Sequence, residues 1–238
     1  MKISPKIAVI FVVATALFIA LLIFGRSLYY PIYLKIIGRK TTEQVYETTG
    51  QKIEAKLKPR FEKAGISYPP EQITLIAVKD RLNLEVWATE NNKNSLIHTY
   101  KFTGFSGTLG PKLKEGDGQI PEGLYKIDYL NPNSRFHLSM KLSYPNEFDK
   151  ANGKLDGREN LGGDIMIHGS NATIGCIPIG DSNIEELFTL VYKTGIKNVD
   201  VIIAPNDLRT EKPNYHNSSF KWLDAKYQRI HKALAQFK

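Results

Sequence analysis

Cys176 is the only cysteine in 238 residues, and it stands eight positions after His168 within Asp164–Asp181, DIMIHGSNATIGCIPIGD. A cysteine nucleophile needs a base to take its proton and backbone N–H groups to receive the oxyanion that its attack creates. His168 is of the type that serves as that base. The loop glycines Gly169, Gly175 and Gly180 open backbone conformations closed to other residues. Taken singly, a cysteine reads as a small buried hydrophobe, and a histidine as a satisfied core side chain. Taken together, on an apolar run (Ile165–Ile167) that turns into a glycine-rich loop, the pair favours chemistry over a structural role.

The elements that must position this pair are mostly strands. Gln72–Lys79, Leu82–Thr89 and Ser95–Phe102 alternate with period two, and the turns Lys79-Asp80-Arg81 and Asn91–Asn94 join them as an antiparallel meander. His98 alternates along the third strand as a half-exposed residue. Gly104–Gly123 contains six glycines and two prolines and reads as a long irregular loop. Its carboxylates Glu115, Asp117 and Glu122 could ligate calcium, but their spacing matches no calcium loop, and a turn-rich structural role is the expectation. Tyr125–Leu130 and Phe136–Ser143 are further strands. On the second, His137, Ser139 and Lys141 share the face opposite Phe136, Leu138, Met140 and Leu142. Tyr144-Pro145-Asn146 is a turn, and Ala151–Gly163 reads as a polar, glycine-rich flap.

After the nucleophile, Asp181 or Ser182 can cap a helix running through Lys193, with a stop at Gly195 and a last strand at Val199–Ala204. The positive N-terminal end of that helix lies close in sequence to Cys176 and can favour a thiolate. Phe220, Leu223, Tyr227, Ile230, Leu234 and Phe237 form the apolar stripe of a C-terminal helix packed on the domain. Lys221, Lys226, Arg229 and Lys232 lie off that stripe. Upstream, Thr41–Ala64 is helical: Thr41 and Gln44 suit a capping box, Gly50 weakens the helix, Pro59 breaks or restarts it, and Gly65 ends it.

His168-Gly169 followed by Thr173-x-Gly175-Cys176-Ile177 resembles the signature of the L,D-transpeptidases, the YkuD-domain family, and in particular a murein-processing branch with a compact His-Gly to Gly-Cys interval. Gly110–Ile127 and Ser134–Asn146 resemble that branch's other recurring segments, so the likeness spans roughly Tyr68 to Pro205. It implies Cys176 as nucleophile, His168 as general base and acid, the Gly169 carbonyl as orienter of the imidazole, and the Gly175 N–H beside that of Cys176 as oxyanion donor. It implies a loop-bracing hydroxyl at Thr173, and substrate contacts from Thr173, Ser170, His137 and Tyr144. The implied fold is mainly β with peripheral helices, a β-sandwich or distorted barrel. The implied substrates are peptidoglycan stem peptides, with no cofactor and no metal. This chain departs from many relatives in carrying Ile174 where they have a second histidine and Pro178 where they have an arginine.

The formal charge of +8 comes from scattered lysines, without an arginine-rich or aromatic-interleaved basic motif, so nucleic acid is not an expected partner. Ile7–Phe24 is eighteen residues without a charge, long enough to cross a hydrocarbon core, and Ser27–Gly38 suits a membrane interface. The resulting organisation is a cytoplasmic tail and transmembrane anchor over 1–26, an interfacial segment and helical spacer over 27–67, a catalytic domain over 68–205 and a packed C-terminal helix over 206–238. The resemblance places the catalytic domain outside the cytoplasm, in the periplasm of a bacterial envelope. A single cysteine suits that compartment, since no internal disulfide can consume it. Three readings follow: a peptidoglycan transpeptidase, a hydrolase or amidase of the same fold, and a non-catalytic wall-binding module. Cysteine peptidases that place cysteine before histidine fit less well, because His168 comes first here. Binding alone needs neither residue, so rapid alkylation of Cys176 at neutral pH separates enzyme from module.

Overall fold

The computed structural model describes residues 4, 6–7, 10–15 and 26–238. The uncharged stretch Ile7–Phe24 lies largely outside the described residues, and among those described no helix is long and apolar enough to cross a membrane. The chain divides into two compact units, Met1–Lys40 and Thr41–Lys238. The first contains helix α1 (Arg26–Ile37), on which Tyr30 and Tyr33 stack with ring centroids 5.8 Å apart.

In the second unit, α2 (Thr42–Val45) continues through a π turn (Tyr46–Gly50) into α3 (Gln51–Ala64). The Thr41–Gln44 capping box forms, with Thr41 Oγ1 accepting from Gln44 N and Gln44 Oε1 accepting from Thr41 N. Gly65, at φ 67°, ends α3 in the left-handed conformation that a glycine adopts without a Cβ penalty. Pro59 does not break the helix: it is exposed, while Leu57 and Phe61 on either side are buried in the core. This segment therefore packs against the strands as a docking helix. Phe61→Ala is expected to lower the stability of the folded unit by about 3–5 kcal/mol, read by urea unfolding. A change under 1 kcal/mol would show that α3 is dispensable to the core.

Eight strands follow: β1 (Gln72–Val78), β2 (Asn83–Glu90), β3 (Lys93–Lys101), β4 (Gly123–Ser134), β5 (His137–Leu142), β6 (Met166–His168), β7 (Ile177–Pro178) and β8 (Val199–Ala204). They form one sheet in the order β3-β2-β1-β8-β4-β5-β6-β7. The meander β1-β2-β3 closes through Asn91 and Asn92, both at positive φ, as a two-residue hairpin loop requires. β1 and β8 pair in parallel at the centre, where both are almost continuously buried. β4 changes partner along its length: Gly123–Lys126 pairs with β8, and register shifts mark its later pairing with β5. The fold is mainly β with peripheral helices, as the sequence implied. The sheet curls until its two margins touch where Thr103 N–H donates to the Pro178 carbonyl at 2.9 Å.

Apolar residues cover both faces. One cluster joins Leu57 and Phe61 of α3 and Leu187 and Phe188 of α5 (Asp181–Thr194) to strand residues including Leu75, Met140, Ile167 and Ile177. The other seats Leu223, Tyr227, Ile230 and Leu234 of α6 (Leu223–Leu234), and Phe237 beyond it, on Ile76, Trp87 and Ile202. Lys226 departs from the expected pattern. It is buried and donates to the Glu122 carbonyl and to Asp149 Oδ1, both at 2.8 Å.

The expected flap is also partly a helix. α4 (Glu147–Leu155) starts from a capping box in which Asn146 Oδ1 accepts from Asp149 N, a signal that the glycines downstream obscured. Beyond it, Arg158 donates to the Leu113 carbonyl and Asn160 to Glu115, which ties this segment to the 104–122 loop.

Candidate active site

Strand register brings the two sequence candidates together. In β6 and β7, Ile167 pairs with Ile177 and His168 with Pro178, so Cys176 is level with Met166. Side chains alternate across a strand, so Met166, His168, Cys176 and Pro178 share one face. Met140, Ile167 and Ile177, all fully buried, occupy the other face and anchor the motif in the core.

His168 is 0% exposed. Its Nδ1 lies 2.5 Å from the Gly169 carbonyl, and Phe136 stacks on the ring at 4.6 Å. A carbonyl oxygen only accepts, so Nδ1 carries the hydrogen and the neutral ring presents its lone pair at Nε2. That Nε2 is buried and has no hydrogen-bond partner. Burial holds the imidazole below its usual pKa, and the Gly169 contact opposes this. Gly169 has no room for a side chain, since a Cβ would meet Asp181 Oδ1 at 2.6 Å and the Phe136 carbonyl at 2.7 Å.

The Cys176 thiol sits over the start of β6. Met166 N–H points to Sγ at 3.4 Å, and Sγ lies 3.7 Å from the Asp164 carbonyl. Burial pushes the thiol above its usual pKa; the Met166 amide and the charge of Lys112 oppose the rise, while Asp164 adds to it. Burial thus disfavours the charged form of both groups. The start of α5 does not overcome the burial. Its N-cap is Gly180 with no side-chain bond, and Asp181 Oδ1 accepts the Ser170 amide at 2.7 Å instead of capping the helix.

Thr173 braces the loop from both sides. Its hydroxyl donates to the Cys176 carbonyl at 2.7 Å and accepts the Cys176 N–H at 2.8 Å. Thr173→Val removes both bonds at nearly constant shape. It is expected to slow acylation of Cys176 by about tenfold, the cost of leaving one buried amide unpaired. Thr173→Ser should recover most of the rate. Equal rates in all three proteins would remove the brace from the account.

Several expected contributions are placed differently. The Gly175 N–H is not free for an oxyanion, because it donates to Ser106 Oγ at 2.7 Å. Gly175 stands at φ 104°, where a Cβ would meet the Gln119 carbonyl at 2.8 Å. The 104–122 loop thus lies directly on the nucleophile loop, and Ser106 is a site residue that its unremarkable sequence context did not single out. Tyr144 is buried and donates to the Leu161 carbonyl at 2.9 Å, so it holds the segment after α4 instead of facing a substrate. His137, at φ 74°, has Nε2 2.7 Å from Glu185 Oε1 of α5. Ser170 joins the loops, its carbonyl accepting from Thr103 Oγ1 at 2.6 Å. His98 is half-buried against Tyr100 and takes no part. The three acidic loop residues have separate partners: Glu115 with Asn160, Asp117 with Lys112, and Glu122 with Lys79. Ile174 is 80% exposed beside the nucleophile, and Pro178 occupies β7 without a charge.

The YkuD family, described as the L,D-transpeptidase catalytic domain, matches residues 73–203. YafK of Escherichia coli (strain K12), whose name assigns it to the L,D-transpeptidases, is 31% identical over 152 residues, covering 60% of this chain and 59% of that protein. The chain thus spans about three fifths of the length of this relative. Among solved structures, the helical cell shape determining protein Pgp2 from Campylobacter jejuni is 24% identical, with a TM-score of 0.48 over 67% of this chain and 52% of that one. Bd1075 from Bdellovibrio bacteriovorus is 19% identical, with a TM-score of 0.43 over 70% and 55% of the two chains.

Proposed function

The chain belongs to the YkuD family of L,D-transpeptidase catalytic domains, and from that premise we propose that it is a cysteine acyltransferase acting on peptidoglycan peptides in the bacterial envelope. The observation that carries this reading is His168, wholly buried, fixed through Nδ1 on the Gly169 carbonyl and open at Nε2, on the same sheet face as the Cys176 thiol.

In the proposed reaction the Cys176 proton passes to His168 Nε2 as sulfur bonds to a peptide carbonyl carbon. The oxyanion would take the Gly175 N–H in exchange for Ser106 Oγ, since an alkoxide is a stronger acceptor than a hydroxyl. The carbon–nitrogen bond then breaks, His168 returns the proton to the leaving amine, and a thioester remains on Cys176. A second amine or water attacks the thioester and gives its proton to His168, the carbon–sulfur bond breaks, and His168 returns that proton to the Cys176 sulfur. An amine makes the protein a transpeptidase, and water makes it a hydrolase or amidase. Ile7–Phe24 supports, from sequence alone, a membrane tether for such an enzyme.

The test is mass spectrometry of muropeptides after incubating the protein with purified sacculi beside a Cys176→Ala control. New cross-links or exchanged terminal residues, absent from the control, are the expected result. Loss of cross-links or release of attached peptide would assign the hydrolytic outcome, and identical profiles would sink the catalytic reading on this substrate. The rate of Cys176 alkylation is expected to keep rising with pH beyond the ordinary thiol range, because burial raises the thiol pKa, so the rapid alkylation at neutral pH expected from sequence is not required of this enzyme. A plateau at neutral pH would instead reveal a preformed ion pair.

A further inference from the structure

A cavity of about 390 Å³ opens over the centre of the sheet, inside the volume range of small-molecule sites. Its lining contains no residue of Asp164–Asp181, and β4, β5 and β6 stand between β8 and β7 in the sheet. It is therefore separate from the nucleophile. Adjacent strands supply one side of it: Thr74 of β1 pairs with Asp200 of β8, and Gln72 of β1 with Thr89 of β2. The β2–β3 hairpin adds Asn92 and Asn94, and the residues after α6 add Gln236 and Phe237. Along both central strands this face changes character within two residues. Ile76 and Ile202 pack under α6, whereas Thr74 and Asp200 line the cavity.

The lining excludes charged ligands. Among the described residues no lysine or arginine lines the cavity, so an anion finds no counter-charge there. Asp200 is its one carboxylate, and both oxygens are engaged: Gln72 Nε2 donates to Oδ2 at 2.9 Å, and the Lys126 ammonium lies 2.5 Å from Oδ1. A cation therefore finds no free carboxylate. Thr89 Oγ1 donates to Asn94 Oδ1 at 2.6 Å, and Asn94 Nδ2 donates to the Gln236 carbonyl at 3.0 Å, which fixes that amide in place. The groups left for a ligand are neutral. Among the described residues Gln72 Oε1, the Asn92 amide and the Thr74 hydroxyl make no hydrogen bond. Thr74 is 3% exposed, and a buried hydroxyl is costly to leave without a partner.

We propose that this cavity is a second binding site that takes a neutral N-acetylated saccharide, the sugar chain to which the stem peptides are attached. Amide and hydroxyl side chains each offer a donor and an acceptor, which match ring hydroxyls and acetamido groups. Leu124 and Phe237 add apolar surface for a sugar face. The site holds the protein on its polymer without touching the bond that Cys176 attacks. That the sugar is wall glycan rests on the peptidoglycan reading; that the ligand is a saccharide rests on the chemistry of the cavity.

The test is calorimetric titration of the full chain with N-acetylglucosamine oligomers and with glycan strands stripped of peptide. Salt at about 0.5 M screens the net charge of +8. Saturable binding is expected, equal in wild type and Cys176→Ala, and weakened about three- to tenfold in Thr74→Val and in Gln72→Ala. Thr74→Val keeps the shape of the residue and Gln72 is exposed, so both variants should unfold in urea at the wild-type midpoint. No saturable binding by the wild type, or binding undiminished in both variants, would overturn the site. Binding that vanishes at this salt would mark charge attraction, and binding of free stem peptide in place of sugar would assign the cavity to peptide; either result also overturns the proposal. Because Cys176→Ala cannot be acylated, failure here and failure of muropeptide processing are separate results.

Discussion

Replacing His168 with glutamine is expected to lower the rate of thioester formation on Cys176 by a factor of about 10²–10⁴, the usual contribution of a positioned general base. The size of the effect follows from the resting protonation states. With the thiol held above and the imidazole below their ordinary values, the thiolate is disfavoured before proton transfer in the reaction itself. Glutamine can keep a hydrogen bond to the Gly169 carbonyl, but it has no basic nitrogen for the Cys176 proton. Intact-mass measurement of the adduct in a single turnover checks this. Adduct formation by His168→Gln at the wild-type rate would assign the base to another group. Thermal unfolding of the variant should separate chemistry from folding, because His168 is stacked on Phe136 in the core. The neutral buried ring also predicts an acid sensitivity. The unfolded chain binds a proton that the folded chain resists, so the stabilising contribution is present above the ordinary imidazole pKa and is lost as pH falls below it.

The second large effect lies away from the thiol. Glu122→Ala is expected to cost about 3–5 kcal/mol of stability, measured by urea unfolding, because it leaves a buried lysine charge without its counter-ion. Glu122 and Lys79 are both fully buried. The carboxylate accepts from Lys79 at 2.8 Å and Gly110 N at 2.9 Å through Oε1, and from Tyr227 at 2.9 Å through Oε2. One side chain thus joins β1, the 104–122 loop and α6, and that loop carries Ser106 onto Gly175. Burial lowers the Lys79 pKa, and Glu122 opposes the shift. In the variant, the deficit should narrow as pH rises toward the ordinary lysine range, where the folded protein can release that proton and the unfolded chain still binds it. The double change Lys79→Met with Glu122→Leu should recover most of the loss, since removing both charges also removes their desolvation cost. A single-variant cost below 1 kcal/mol would mean that the pair is not the anchor of the loop.

Legibility followed the range of the interactions involved. The β1-β2-β3 meander, the Thr41–Gln44 capping box, the Gly65 stop and the stripe of α6 depend on residues close in sequence, and the structure contains them all. The helix α4 was as local, but its Asn146–Asp149 box was masked by the glycines that follow. Lys226 shows the limit of a helical wheel. It lies off the apolar stripe and is buried nonetheless, because a long side chain can reach a carboxylate and a carbonyl that α4 and β4 bring to it.

The chemistry of the site belongs to the sequence by itself. One cysteine, a histidine eight residues before it, and a Gly-Cys turn braced from Thr173 are the residue types and short spacing on which the proposed nucleophile and base rest. Only the tertiary structure decided how that pair is poised. Burial disfavours the charged form of both groups, and a loop residue 69 positions earlier, Ser106, accepts from the Gly175 amide. It gives Tyr144 the Leu161 carbonyl and His137 the Glu185 carboxylate as partners. It also sets His168 and Cys176 on one sheet face. That register is held by the packing of Met140, Ile167 and Ile177 on the opposite face, which no local pattern records.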